Sequence, residues 1–82
     1  MNENFDIHFI SPSNKISLTA YMATLPGSSG KFSVLAHHEN LVASLKSGTV
    51  IINDTTHVKI NDGFAHILNG ILTITSDSIE QI

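Results

Sequence analysis

Short runs in which every second residue is apolar, separated by tight-turn residues, restrict the fold of this chain more than any other feature. In residues 5–10, for example, Phe5, Ile7 and Phe9 are separated by two polar residues. Alternation of this kind places apolar side chains on one face of a β-strand. Asn69-Gly70, between two later runs, is a strong signal for a type I′ hairpin turn. The sequence therefore predicts an all-β fold, a small two-sheet β-sandwich or flattened barrel of seven or eight short antiparallel strands.

The strand boundaries follow from the alternation and from the turn residues. We predict strands over residues 5–10, 16–25, 32–35, 49–52, 55–60, 64–68 and 71–76. Pro26 is expected to end the second strand because proline cannot donate a hydrogen bond to a sheet ladder. Pro26-Gly27 is then expected to occupy the central positions of a type II turn. Residues 77–82 are expected to form a short tail that Ile79 and Ile82 anchor.

Two segments have less regular patterns. Leu41, Val42 and Leu45 share one side of a helix by their spacing, so residues 37–46 are expected to form a turn or a helical turn. Asn61-Asp62-Gly63 is expected to form a turn with its glycine in the left-handed conformation.

Composition narrows the classes of function. The chain has 82 residues and is expected to form one domain over residues 1–82. Four basic residues against seven acidic ones give a net charge of −3, and aromatic residues are few, which disfavours nucleic-acid binding. The absence of cysteine excludes disulfides, thiolate metal sites and a cysteine nucleophile. No apolar run approaches the ~20 residues that span a bilayer, so any membrane contact is expected to go through a partner.

Five histidines are the candidates for chemistry. The adjacent His37 and His38 would point to opposite faces of a strand, so they are not expected to bind one metal ion together. His57 and His66 would face each other across the turn at residues 61–63, which allows a weak two-ligand site. The other interpretation is that these histidines are solvated polar residues on the outer face of a sheet.

Signals for catalysis are weak. The sequence has no Gly-x-Ser-x-Gly elbow and no phosphate-binding loop. We therefore expect no catalytic, metal or cofactor site, and two alternatives remain besides any specific assembly role. One is a free-standing β-sandwich module that binds another protein, and the other is a small histidine-dependent metal or hydrolytic protein.

One long stretch, LPGSSGKFSVLAHHENLVASLKSGTVII, resembles the N-terminal domain of the epsilon subunit of F-type ATP synthases, which is called delta in mitochondria. The residues that match the family pattern are Gly30, Phe32, Val34, Leu35, His38, Leu41, Leu45, Lys46 and Gly48. Residues 5–12 resemble the family's first strand with its Ser-Pro turn, and Gly63-Phe64-Ala65 resembles a strand start of the family. The likeness covers nearly the whole chain with compatible spacing.

This resemblance implies a β-sandwich in the central stalk of the rotor, without an active site or cofactor. Its partners would be the gamma subunit and the membrane c-ring, on the cytoplasmic face of a bacterial inner membrane or the matrix face in an organelle. By analogy, Ser11 and His38 lie in the region that meets gamma, and Lys31, at the tip of the Gly30 loop, lies in the region that meets the c-ring. Leu41 completes the set of expected subunit-interface residues.

The chain departs from the family pattern at three places. Lys31 replaces a residue that is usually acidic in the family, so the charge of its partner is expected to differ. Ser33 replaces a glycine, and Ala36-His37 replaces a Pro-Gly pair, so this loop must form without the expected glycine. Family members commonly continue into a C-terminal helical hairpin, which we do not expect in a chain that ends at Ile82.

Overall fold

Ten β-strands form the protein in a computed structural model that describes residues 3–82. The strands are β1 (Phe5–Ile10), β2 (Lys15–Ala20), β3 (Met22–Gly27), β4 (Gly30–Leu35), β5 (Leu41–Leu45), β6 (Gly48–Ile52), β7 (Thr56–Ile60), β8 (Gly63–Leu68), β9 (Ile71–Ser76) and β10 (Ile79–Gln81). No helix occurs in the described residues. The all-β prediction is confirmed, with ten strands rather than seven or eight.

The strands form two five-stranded layers. We call the layer in the order β5-β8-β9-β1-β2 sheet 1, and the layer made of β4, β3, β6, β7 and β10 sheet 2. The layers are continuous at one corner, where β3 pairs with β5 only at Gly27 and Leu45. One pair departs from the predicted antiparallel pattern, because β1 runs parallel to β9. The result is a nearly closed, barrel-like β-sandwich.

The core fills the space between the two layers. Buried apolar side chains come from every strand, and the largest that are fully buried include Phe9, Ile7, Leu25, Leu72 and Ile74. In β1, β8 and β9 the buried residues alternate with exposed or half-buried ones, as the sequence pattern predicted. This alternation leaves one complete outer face of sheet 1 open to solvent.

The predicted strand over residues 16–25 is two strands, β2 and β3, which separate at Tyr21. The side-chain oxygen of Asn53 accepts the backbone N–H groups of Tyr21 (2.9 Å) and Met22 (3.2 Å). These bonds satisfy the backbone where the chain leaves sheet 1 for sheet 2. The prediction of one strand was wrong because this partner lies about thirty residues further along the chain.

Replacing Asn53 with alanine is expected to destabilise the fold by about 2–4 kcal/mol, since it leaves two part-buried N–H groups without an acceptor. Asn53 also has φ 53°, a left-handed conformation that asparagine tolerates better than alanine. Thermal unfolding should show Tm lower by about 10 °C or more. Asn53→Asp is the matched control, because it keeps an acceptor oxygen and should lose much less stability. Equal losses in both variants would contradict this role.

Pro26 lies inside β3, so the predicted chain break and type II turn at Pro26-Gly27 are wrong. Pro26 pairs with Lys31 of β4, and its carbonyl accepts the N–H of Lys46 at 2.9 Å. The hairpin turn instead consists of Ser28 and Ser29, between paired Gly27 and Gly30. Proline is tolerated in β3 because its carbonyl remains available to the neighbouring chain.

The predicted turn or helical turn over residues 37–46 is wrong for its second half, which forms β5. Leu41, Ala43 and Leu45 point inward, and every residue of β5 pairs with β8. Val42, which the helical interpretation placed beside Leu41, is 69% exposed on the outer face. Long-range pairing with β8 therefore decides the structure of this segment.

The remaining turns include one confirmation and two corrections. Asn69 (φ 51°) and Gly70 (φ 81°) both have positive φ, which confirms the type I′ hairpin. In the turn at residues 61–63 the left-handed residue is Asp62 (φ 50°), whereas Gly63 has φ 146°. The last residues are also more ordered than a tail: β10 pairs with β7 and Ile79 is buried, but Ile82 is 75% exposed and anchors nothing.

Candidate docking surface

The outer face of sheet 1 is a regular surface that five strands build together. Cross-strand pairing aligns its outward side chains in three rows. The first row is Ser44, Phe64, Thr75, Ile10 and Lys15; the second is Val42, His66, Thr73, His8 and Ser17; the third is Leu68, Ile71, Asp6 and Thr19. At about 4.8 Å between strands and about 3.3 Å per residue, this face measures roughly 20 Å by 20 Å.

Exposed apolar side chains concentrate on this face. Residues 3–82 contain seven large apolar side chains that are exposed, and five of them lie here: Ile10, Val42, Phe64, Leu68 and Ile71. Asp6 and Lys15 are the two Lys, Asp or Glu side chains in the three rows. Single exposed apolar residues are ordinary, but a contiguous group on one flat face is typical of a protein interaction site.

A cleft opens at one end of the face. It has a volume of about 610 Å³, and its wall includes Ile10, Pro12 and Leu45 beside the ring of Phe64. Asp62 and Asp77 also line it. A cleft with an apolar wall and a polar rim has the form of a pocket for an anchor side chain of a partner protein.

Ser11, one of the predicted interface residues, lies at this same end. It follows β1, and its hydroxyl donates to the carbonyl of Asn14 at 3.2 Å, which closes the turn into β2. His38 lies at the opposite end, in the loop that precedes β5, where its Nδ1–H donates to the carbonyl of Glu39 at 2.8 Å. The two residues predicted to meet one partner therefore lie at the two ends of the sheet 1 strands, with the apolar face between them.

Gly30 and Lys31, the residues predicted to meet a second partner, lie on sheet 2. They begin β4, next to the Ser28-Ser29 turn, and the Lys31 side chain is exposed opposite Pro26. The structure thus separates the two groups of predicted residues onto different layers.

Leu41 contributes less to the surface than its neighbour. Its side chain is half-buried and packs against the core, whereas Val42 points outward. The sequence analysis missed Val42, Phe64 and Leu68. A signal was present in β8, where apolar residues occupy both alternating sets of positions, one set facing the core and the other facing solvent.

The loop between β4 and β5 shows how the chain manages without the family's glycine. His37 stands at that position and adopts φ 65°, a left-handed conformation that histidine tolerates better than most residues. Its Nε2 lies 2.7 Å from a carboxylate oxygen of Glu3. Both side chains are exposed, so this pair contributes little to stability.

The histidines do not form a metal site among the described residues. Within residues 3–82, no group of three or more histidine and carboxylate side chains converges. His57 is on β7 and His66 is on β8, and these strands belong to different layers and do not pair. The predicted two-ligand arrangement across the turn at residues 61–63 is therefore wrong. The part of the chain that the structure describes also contains no helix long and apolar enough to cross a membrane.

Comparison with protein families gives a match over nearly the whole chain. Residues 4–82 match the family described as "ATP synthase, Delta/Epsilon chain, beta-sandwich domain". The chain belongs to this family. The ATP synthase delta/epsilon assignment confirms the resemblance found in the sequence.

Individual relatives in the ATP synthase delta/epsilon family extend the match. The ATP synthase epsilon chain of Magnetococcus marinus is 33% identical over 81 residues, which cover 94% of this chain and 59% of the relative. That of Desulfatibacillum aliphaticivorans is 40% identical over 70 residues, 80% of this chain and 50% of the relative. That of Rickettsia bellii is 37% identical over 82 residues, 96% of this chain and 73% of the relative. The chain thus spans between half and three-quarters of the length of these relatives.

Solved structures confirm the fold. A chain in the cryo-EM structure of the Euglena gracilis mitochondrial ATP synthase, OSCP/F1/c-ring in rotational state 1, superimposes with a TM-score of 0.82 at 22% identity, covering 92% of this chain and 51% of that one. A chain in the Tetrahymena thermophila mitochondrial ATP synthase central stalk/c-ring structure gives 0.78 at 7% identity, covering 92% of this chain and 64% of that one. At these identities the likeness is one of fold.

Proposed function

We propose that this chain is a non-catalytic rotor subunit in the central stalk of a proton-translocating F-type ATP synthase. It docks on the gamma subunit through the outer face of sheet 1 and on the c-ring through the β3–β4 hairpin, and so couples proton flow to ATP synthesis. The contiguous apolar face of sheet 1, in a chain of the delta/epsilon family, is the observation that carries the proposal.

The gamma contact is supported by the position of the apolar residues. Ser11 and His38 lie at the two ends of the face, so a partner that contacts both must cover Val42 and Phe64 between them. The face has a projected area of roughly 400 Å², and loops at both ends would add to it, which approaches the ~800 Å² per partner of a stable interface. The cleft beside Phe64 supplies a pocket for one anchor side chain of gamma.

The c-ring contact is supported by the separation of Lys31 from that face. Gly30 and Lys31 are exposed at the start of β4 on sheet 2, so both partners can bind at once. Lys31 stands where the family usually has an acidic residue. We therefore expect the facing c-ring loop to present a carboxylate or backbone carbonyls instead of a basic side chain.

The assembly fixes the location of the chain. As a rotor subunit it lies on the cytoplasmic face of the bacterial inner membrane, or on the matrix side in an organelle, and reaches the bilayer only through the complex. It needs no cofactor and does not itself hydrolyse ATP.

Binding to gamma tests the proposal. The full chain, mixed with the gamma subunit of the same organism's ATP synthase, should form a one-to-one complex with a dissociation constant below about 1 µM, since the interface is of roughly standard size. Size-exclusion chromatography and titration calorimetry measure the stoichiometry and affinity. Added to an ATP synthase that lacks this subunit, the chain should restore coupled proton pumping. A chain that neither binds gamma nor restores coupling would refute the role and favour a free-standing binding module.

A further inference from the structure

Two imidazole groups occupy the middle row of the outer face of sheet 1. His66 and His8 both flank Thr73, on either side of it, so their backbones are about 10 Å apart. We propose that docking of gamma on this face releases protons from these histidines, so that the affinity falls as the pH drops from 7.5 to 5.5. This inference rests on the proposed function and adds a regulation of the same surface.

The surroundings of the histidines favour the neutral imidazole in the docked state. Beside His66 stand Val42 on the neighbouring strand and Phe64 and Leu68 on its own strand, all of them exposed and apolar. A partner that covers these side chains must also cover His66. A charged imidazolium removed from water into such surroundings costs several kcal/mol unless an acceptor compensates it, whereas neutral imidazole costs far less.

The other strands offer few compensating charges. β5 and β9 contribute apolar and hydroxyl side chains to the face, and β2 contributes Lys15, whose charge opposes an imidazolium. Asp6 on β1 is the one carboxylate in the three rows, two residues from His8 on the same side of the strand. Asp6 therefore offsets part of the cost for His8 but lies diagonally across the face from His66. His66 should account for more of the pH dependence than His8.

The two histidines also differ in how much they are already fixed. His8 is half-buried, and its Nδ1 lies 3.0 Å from the hydroxyl of Ser17. His66 is exposed and has no side-chain hydrogen bond within residues 3–82, so docking changes its environment most.

The sign and size of the effect follow from proton linkage. A histidine in water titrates near pH ~6.5, so at pH 5.5 the free chain carries protons that the docked chain must release. The docked state binds fewer protons, and the affinity therefore rises with pH and is lost as the pH falls through this range. Each fully excluded proton weakens binding about 10-fold between pH 7.5 and 5.5, which gives about 10- to 100-fold for one to two protons.

Titrations of the full chain with gamma at pH 8.0, 7.5, 6.5, 6.0 and 5.5, at constant ionic strength, test the inference. The wild-type chain should bind at least about 10-fold more weakly at pH 5.5 than at pH 7.5. His66→Asn should remove most of this change, and His8→Asn/His66→Asn nearly all of it, because asparagine cannot be protonated in this range. Both variants should bind within about threefold of wild type at pH 7.5, since neutral imidazole and amide are similar in polarity.

His57→Asn is the matched control. His57 is an exposed histidine on β7 of sheet 2, so this variant should keep the full pH dependence. Thermal unfolding and sedimentation at each pH confirm that the chain remains folded and monodisperse, which matters near its isoelectric point of about 5.8.

The outcomes separate this inference from the proposed function. A wild-type affinity that does not change with pH, or a change that persists in the double variant, overturns proton-linked docking while the rotor role stands. Stronger binding at low pH that the double variant abolishes also overturns it, since gamma would then supply a carboxylate to the imidazolium. No binding at any pH refutes the docking on which the inference rests.

Discussion

Gly63→Ala is expected to leave most of the chain unfolded at 25 °C. A Cβ atom at this position would overlap the carbonyl oxygen of Thr75 and approach its carbonyl carbon to 2.9 Å, and both are backbone atoms of β9. Gly63 also has φ 146°, which side-chain-bearing residues rarely adopt. To accept the methyl group, β8 and β9 must move apart at the end where they pair. The expected cost is about 4 kcal/mol or more, against a total stability of about 4–12 kcal/mol for a domain of this size.

Gly30→Ala provides the matched control for this effect. Gly30 has a similar φ of 134°, but a Cβ atom there would meet nothing within 4 Å. It should therefore lose only the conformational contribution, about 1–2 kcal/mol, and remain folded. Urea unfolding followed by circular dichroism measures both variants. Similar losses would show that backbone conformation, and not the contact with Thr75, determines the requirement for glycine at position 63.

Phe64→Glu is expected to abolish docking on gamma while the chain stays folded. Phe64 is 58% exposed, so its replacement removes little core packing, but it combines the central apolar face with the wall of the cleft. Binding would lose the aromatic contact and would have to desolvate a carboxylate. Truncation of such aromatic anchors costs about 2–4 kcal/mol, so affinity should fall at least about 30-fold.

Leu35→Glu is the control for the Phe64 variant. Leu35 is exposed to a similar degree (54%) but lies on β4 of sheet 2. The same change from an apolar to an acidic residue there should leave the affinity for gamma within about threefold of wild type, a difference below 1 kcal/mol. Titration calorimetry with gamma measures both variants, and their thermal unfolding confirms that each is folded. If both lose affinity equally, gamma does not distinguish the two layers.

The sequence predicted the parts of the fold that depend on local patterns. Alternation in β1 and the Asn69-Gly70 turn are local signals, because side-chain direction and φ preference are properties of neighbouring residues. The resemblance to the delta/epsilon family rested on the order and spacing of many such signals and is confirmed over residues 4–82.

The remainder depends on contacts between distant segments. The break at Tyr21 requires the side chain of Asn53, and the strand at residues 41–45 requires β8. The parallel pairing of β1 with β9 joins the two ends of the chain. No local pattern carries this information, since each of these segments has a plausible alternative structure on its own.

The candidate surface was predicted only in part, for a related reason. Ser11 and His38 were identified from the family pattern, and they mark the two ends of the apolar face. Val42 and Phe64, which form its centre, are apolar residues in strands, and the sequence alone does not show which of two apolar faces meets the core. That distinction requires the register between β5 and β8.

The joint between the two layers has a mechanical consequence. Near the Gly27–Leu45 pair, the layers share two hydrogen bonds, from Lys46 N–H to the carbonyl of Pro26 (2.9 Å) and from Ser28 N–H to the carbonyl of Ser44 (3.0 Å). With gamma on one layer and the c-ring on the other, torque crosses the domain through the packed side chains between them. Close-packed interiors resist compression. The domain would therefore act as a stiff spacer under load pressing the layers together, and shear would strain this corner first.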